Sequence, residues 1–84
     1  MIDDTTKAVL KKWRDDIHHG KYSRQVVQSA IDDYIFSERT RMMLQRRLFD
    51  GIHFEPLAEE FKLSERQTKT IVRNAELILM QHLP

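Results

Sequence analysis

Apolar residues recur along the chain at helical rather than strand spacing, and short polar punctuation divides them into five stretches. Val9, Leu10, Trp13 and Ile17 form the first stripe. Asp3, Asp4 or Thr5 can each accept from the free N–H groups of its first turn, and Gly20 predicts its end. Ser23 is placed to cap a second helix, with Val26, Val27, Ala30, Ile31, Tyr34 and Ile35 predicted inward and Gln28, Asp32 and Asp33 turned away. Ser37 opens a third helix, predicted from Glu38 to about Asp50, and Gly51 follows where a left-handed residue closes a helix C-terminus. A short fourth helix is expected from about Phe54 to Phe61. Pro56 falls in its first turn, where the missing N–H has no intrahelical partner, and Leu57, Ala58 and Phe61 give it an apolar side.

Only Lys62, Leu63 and Ser64 separate that helix from the fifth. Ser64 and Gln67 form a Ser-x-x-Gln capping box, and the helix they open is predicted to run to about Gln81. At about 100° per residue, Ile71, Val72, Ala75, Ile78 and Leu79 fall on one side and are predicted to pack inward. Arg66, Lys69, Thr70 and Arg73 lie opposite, with Lys62 in the preceding turn close to the same direction. The expectation is an all-α fold of about five helices in one domain, 1–84. Residues 5–36 form an N-terminal helical extension packed on a three-helix helix-turn-helix region, 38–82.

Composition narrows the function. A chain of 84 residues removes roughly 60–65% of its unfolded surface from water, enough for one modest core and no deep interdomain cavity. No Cys is present, so disulfides, thiolate zinc sites and thiol nucleophiles are excluded. No window approaches a membrane span, and the acidic Met-Ile-Asp-Asp start is unlike a secretory signal, so a cytoplasmic protein without a membrane partner is expected. The net charge is +1, with seven basic and seven acidic residues in 1–40 and seven and six in 41–84. Any surface for nucleic acid must therefore come from arrangement.

A short helix, a three-residue turn and a capped longer helix with an apolar back and a basic front are what a helix-turn-helix requires. Arg66, Lys69 and Arg73 can reach phosphates or guanine edges. Thr70 and Asn74 are short enough to let the helix approach the bases. The stretch from Glu38 to Thr68 resembles region four of bacterial sigma factors: a helix ending Phe49-Asp50-Gly51, a helix Phe54-Glu55-Pro56-Leu57-Ala58-Glu59-Glu60-Phe61, a turn ending Leu63-Ser64, then Glu65-Arg66-Gln67-Thr68. The similarity extends over about residues 38–80. It implies a recognition helix over about 65–81 that reads double-stranded DNA in the major groove, with Arg66, Lys69, Thr70, Arg73 and Asn74 at groove-facing positions and Lys62 and Ser64 near the backbone, beside a surface that docks on RNA polymerase. Two positions depart from the pattern. Lys62 stands where the family usually has Gly, implying a left-handed residue at a cost of about 1 kcal/mol, and Arg46 stands where an aliphatic residue is usual. The length suggests a small stand-alone relative, as in phages and mobile elements of low-GC Gram-positive bacteria, rather than a complete initiation factor.

Other constellations carry less. His18 and His19 are adjacent and so diverge on a helix, and His53 and His82 are remote, so no metal site is expected. Asp15-Asp16, Asp32-Asp33 and Glu59-Glu60 are adjacent rather than a turn apart. No nucleophile has a partner base, and neither an enzyme nor a cofactor is predicted. Lys7, Lys11, Arg14 and His18 are either a second phosphate-contacting face or, more economically, the solvated side of the first helix. Trp13 and the four Met residues are assigned to the core. Leu77 and Met80 fall on the basic side of the fifth helix, where they pack under the N-terminal helices or form a contact with a second copy of the chain. The leading expectation is a DNA-binding transcription regulator. The alternatives are a module that docks on RNA polymerase or another regulator without reading DNA, and the DNA-recognition part of a phage packaging protein.

Overall fold

A computed structural model describes residues 3–84, and these form five helices: α1 (Asp4–His18), α2 (Arg24–Tyr34), α3 (Glu38–Leu48), α4 (Phe54–Phe61) and α5 (Glu65–His82). Four of the five begin at a side-chain cap. Asp3, Ser23, Ser37 and Ser64 accept from the backbone N–H groups of Thr6, Val26, Thr40 and Gln67. The Thr6 N–H bond also lowers the Asp3 pKa, because it favours the charged carboxylate. Ser64 and Gln67 exchange both bonds of the capping box, each at 3.1 Å. Two helices end where the chain reverses: Gly20 and Gly51 hold φ of 87° and 67°. α3 closes at Leu48, two residues before the predicted end.

α5 is the common support, since each of the other four helices packs on it. Leu10, Val27, Ile31, Met43, Leu44, Leu48, Leu57, Val72 and Leu79 are essentially inaccessible to water and make the core. α1 and α2 contribute to that core as directly as the later helices do. Trp13, as expected, is buried, and its indole Nε1–H donates to the Leu83 carbonyl at 2.6 Å. Lys21 and Tyr22 donate to the Pro84 carbonyl, so the far end of α5 is tied to α1 and the turn after it. Arg41 donates to the carbonyls of Asp32 and Ile35, which lie at the C-terminus of α2 and lack helical partners. Arg46, the departure noted in α3, pairs with Asp50 and with Glu60 of α4.

Several inward assignments are corrected. Val26 and Tyr34 are partly exposed at the edges of the α2 stripe, which is narrower than its apolar residues suggest. Met43 is in the core, Met80 packs against it and Met42 is exposed; Met1 lies outside the described residues. On α5 the buried residues are Thr68, Val72, Ala75, Glu76 and Leu79, whereas Ile78 is exposed. With Leu83 included, their centre lies about 50° round the helix from the apolar stripe, at about 100° per residue. Among the described residues no helix is long and apolar enough to cross a membrane.

The α4–α5 turn contains the one described non-glycine residue with positive φ, Lys62, at φ 56° and ψ 43°. In this left-handed cap its N–H and that of Leu63 reach back to Glu59 and Ala58. The side chain is exposed, so the conformational cost is not offset by packing. Lys62→Gly should raise stability by about 1 kcal/mol, read as a higher urea midpoint with an unchanged slope.

Candidate nucleic-acid interface

The outward side of α5 begins at its cap. Ser64, Arg66, Thr70 and Asn74 are exposed, the last three one turn apart along a single line, with Lys62 exposed in the preceding turn. The Thr70 hydroxyl donates to the Arg66 carbonyl at 3.1 Å, leaving its oxygen free only as an acceptor. Arg66 and Lys62 have no carboxylate partner among the described residues.

Lys69 and Arg73 do not share that outward line. The rotation of α5 turns both toward the protein, where they are half-buried beside Phe54 of α4. The Lys69 ammonium lies 5.9 Å from the Phe54 ring centre and 3.1 Å from Glu65. The Arg73 guanidinium lies over the same ring at 5.5 Å, and Arg47 of α3 over it at 4.3 Å. Phe54 thus collects cations from two helices, an arrangement worth up to a few kcal/mol where water is partly excluded. Leu77 is half-exposed, whereas Met80 packs on the core and lines a groove with Val9 and Trp13.

Beneath Arg73 sits a group that the hydrophobic pattern did not disclose. Glu76 is fully buried and accepts from Arg14 Nε at 3.2 Å, while its second oxygen has no partner. Burial raises its pKa above the ordinary glutamate value, and the charges of Arg14, Arg47 and Arg73 only partly oppose that shift. Arg47 is displaced downward, by burial first and then by Arg14 and Arg73, with Glu76 opposing. Its Nη1 donates to the Ile52 carbonyl at 3.0 Å, and its Nε is buried without a partner. The spacing of Lys7, Lys11 and Arg14 was legible in sequence, but nothing there placed them beside Arg47 and Arg73. Among the described residues no three His, Cys, Asp or Glu side chains gather as a metal-binding group.

No protein-family model matches the chain, and neither the curated proteins nor the solved structures compared with it give a match.

Because the folded state holds the Glu76 proton more tightly than the unfolded chain does, this group favours folding most below the ordinary glutamate value of 4.5. That contribution is lost as pH rises from there to the raised pKa. Glu76→Gln keeps an acceptor for Arg14 and removes the titration. The urea midpoint of the variant relative to wild type should therefore rise with pH across that window and level off above it.

Proposed function

We propose that the protein is a sequence-specific transcription regulator of double-stranded DNA, with α4 and α5 acting as a helix-turn-helix and α5 entering the major groove. The observation that carries this reading is the capped start of α5, three residues after α4, with Arg66, Thr70 and Asn74 exposed on one line. A helix with its side chains is about 10–12 Å across and the major groove about 12 Å wide. Arg66 and Asn74 offer donors and an acceptor for base edges, Thr70 an acceptor, and Lys62 a charge for the backbone. The likeness of residues 38–80 to sigma factor region four supports the same assignment. Lys69 and Arg73, turned toward Phe54, serve phosphates at the groove's edge rather than bases. A single helix-turn-helix module buries only about 600–1,000 Å², a small contact for tight binding alone. A second copy or a partner on the same promoter supplies the remainder.

A second reading draws on an exposed apolar corner. Phe36 is 85% exposed, and Tyr34 and Ile78 stand beside it around a shallow groove. On that reading the protein docks on RNA polymerase or another regulator through this corner and does not read DNA.

Selection from a random duplex pool decides between them. A DNA-reading protein enriches a defined site, and Arg66→Ala with Asn74→Ala lowers affinity for that site by at least about tenfold. Both side chains are exposed, so the unfolding midpoint should barely move. Recovery of no preferred site at micromolar protein, together with a complex with a polymerase subunit that Phe36→Ser abolishes, would establish the docking reading instead.

A further inference from the structure

Three helices bring five cations to one cleft. Lys7, Lys11 and Arg14 come from α1, Arg47 from α3 and Arg73 from α5, and with Phe54 they surround a cavity of about 290 Å³. Asp15 is the one carboxylate in its wall. Of the five cations only Arg14 has a carboxylate within ion-pair range among the described residues, the buried Glu76. Elsewhere on the surface, Lys12, Arg46 and Lys69 are each matched by an acid. Gathering like charges opposes folding, and here only Asp15 and the buried Glu76 stand against five cations.

We propose that this cleft is a phosphate-binding site, its phosphate belonging either to a nucleic-acid backbone or to a small phosphorylated molecule. The cations answer the charge of a phosphate, and the two α1 lysines, both exposed, leave an entrance. Two guanidiniums and two ammoniums without carboxylate partners supply more donors than the two oxygens of a carboxylate accept; a terminal phosphate offers three acceptor oxygens, and a nucleic-acid backbone offers non-bridging oxygens on successive phosphates. The volume is several times the roughly 30 Å³ that a water molecule takes in the liquid, so a phosphate enters with part of its hydration. Phe54, the only aromatic in the wall, already carries Arg47 and Arg73 over its ring. The cleft therefore offers charge and N–H donors to an incoming group rather than a stacking surface for a base. The site shares only Arg73 with the flank of the outward line of Arg66, Thr70 and Asn74, and does not depend on that line reading DNA.

The test is amide NMR of the full chain at low ionic strength, titrated in parallel with inorganic pyrophosphate and with a duplex of arbitrary sequence. The site is established if either probe shifts Lys11, Arg14, Arg47, Phe54 and Arg73 together, and if Lys7→Gln with Lys11→Gln weakens that binding by about tenfold or more. Both lysines are exposed, so the variant keeps its fold, which its own spectrum verifies. Lys12→Gln on the same helix removes an exposed charge outside the cleft and should leave binding unchanged. A response to pyrophosphate identifies a small phosphorylated ligand as sufficient, and a response to duplex alone identifies the backbone as the source. The proposal is overturned if neither probe perturbs these residues up to about 10 mM pyrophosphate or saturating duplex. It is equally overturned if the double variant binds like wild type, or if Lys12→Gln weakens binding as much. Duplex binding that shifts Arg66, Thr70 and Asn74 while sparing the cleft, with no response of the cleft to pyrophosphate, would overturn it and leave the reading of α5 intact.

Discussion

A carboxylate with no access to water fixes how the N-terminal helix lies on the rest of the protein. Glu76 is fully buried on the inner side of α5, and such a group is tolerated only when a donor reaches it or a proton neutralises it. Arg14 is that donor, and its neighbour Trp13 bonds the carbonyl of Leu83, the C-cap of α5, about two turns further on. Two directional polar contacts from adjacent residues set the position of α1 far more narrowly than an apolar stripe could. The earlier turns of α1 then have little choice: Leu10 enters the core, and Lys7 and Lys11 stand beside Arg73. The basic cleft follows from a buried acid.

The same residue explains the orientation of α5. Housing Glu76 and Thr68 inside moves the buried side of the helix away from Ile78 and draws Lys69 and Arg73 partly under cover. Thr68 tolerates burial because its hydroxyl donates to the Ser64 carbonyl at 2.9 Å. The two half-buried cations find the face of Phe54, which holds α4 against α3 and α5 through cation–π contacts as well as through Leu57. Ile78 joins Tyr34 and Phe36 at the surface instead, producing an apolar corner on the side away from the cations.

Local signals carried the elements, and long-range pairing carried the surfaces. Ser23, Ser37 and the Ser64–Gln67 box act within four residues of themselves, so the helix starts they imply are present as expected. Gly20, Gly51 and the left-handed Lys62 are equally local, each decided by what its own φ allows. The facing of α5 is another matter. Counting Ile78 as inward with its apolar neighbours is sound for an isolated amphipathic helix, in which Glu76 carries no signal of burial. It fails here because Arg14, 62 residues away, makes burial of the glutamate tolerable. For the same reason the Lys7, Lys11 and Arg14 stripe looked like any solvated helix side until Arg47 and Arg73 stood opposite it. Of the candidate recognition residues, Arg66, Thr70 and Asn74 keep their outward line because they lie far enough round α5 from Glu76 to be unaffected by the rotation.

Net charge is a poor guide to a molecule of this kind, and the reason is one of length scales. The protein spans 30 by 28 by 21 Å, whereas exposed charges at physiological salt are screened over about 8 Å. Each of the 13 acids therefore acts only on the cations close to it. Several are engaged locally, Asp16 with Lys12, Glu65 with Lys69, and Asp50 and Glu60 with Arg46. An approaching anion therefore meets a few neighbouring charges rather than the total of +1, and in the cleft those neighbours are five cations, opposed by Asp15 in the wall and by the buried Glu76 against Arg14. Arg73 belongs both to that cleft and to the flank of the outward line on α5. A duplex lying along α5 would bring its backbone to the residue that connects the two surfaces. The position of α1, set by a buried glutamate, thus determines how far the positive surface extends beyond a single helix.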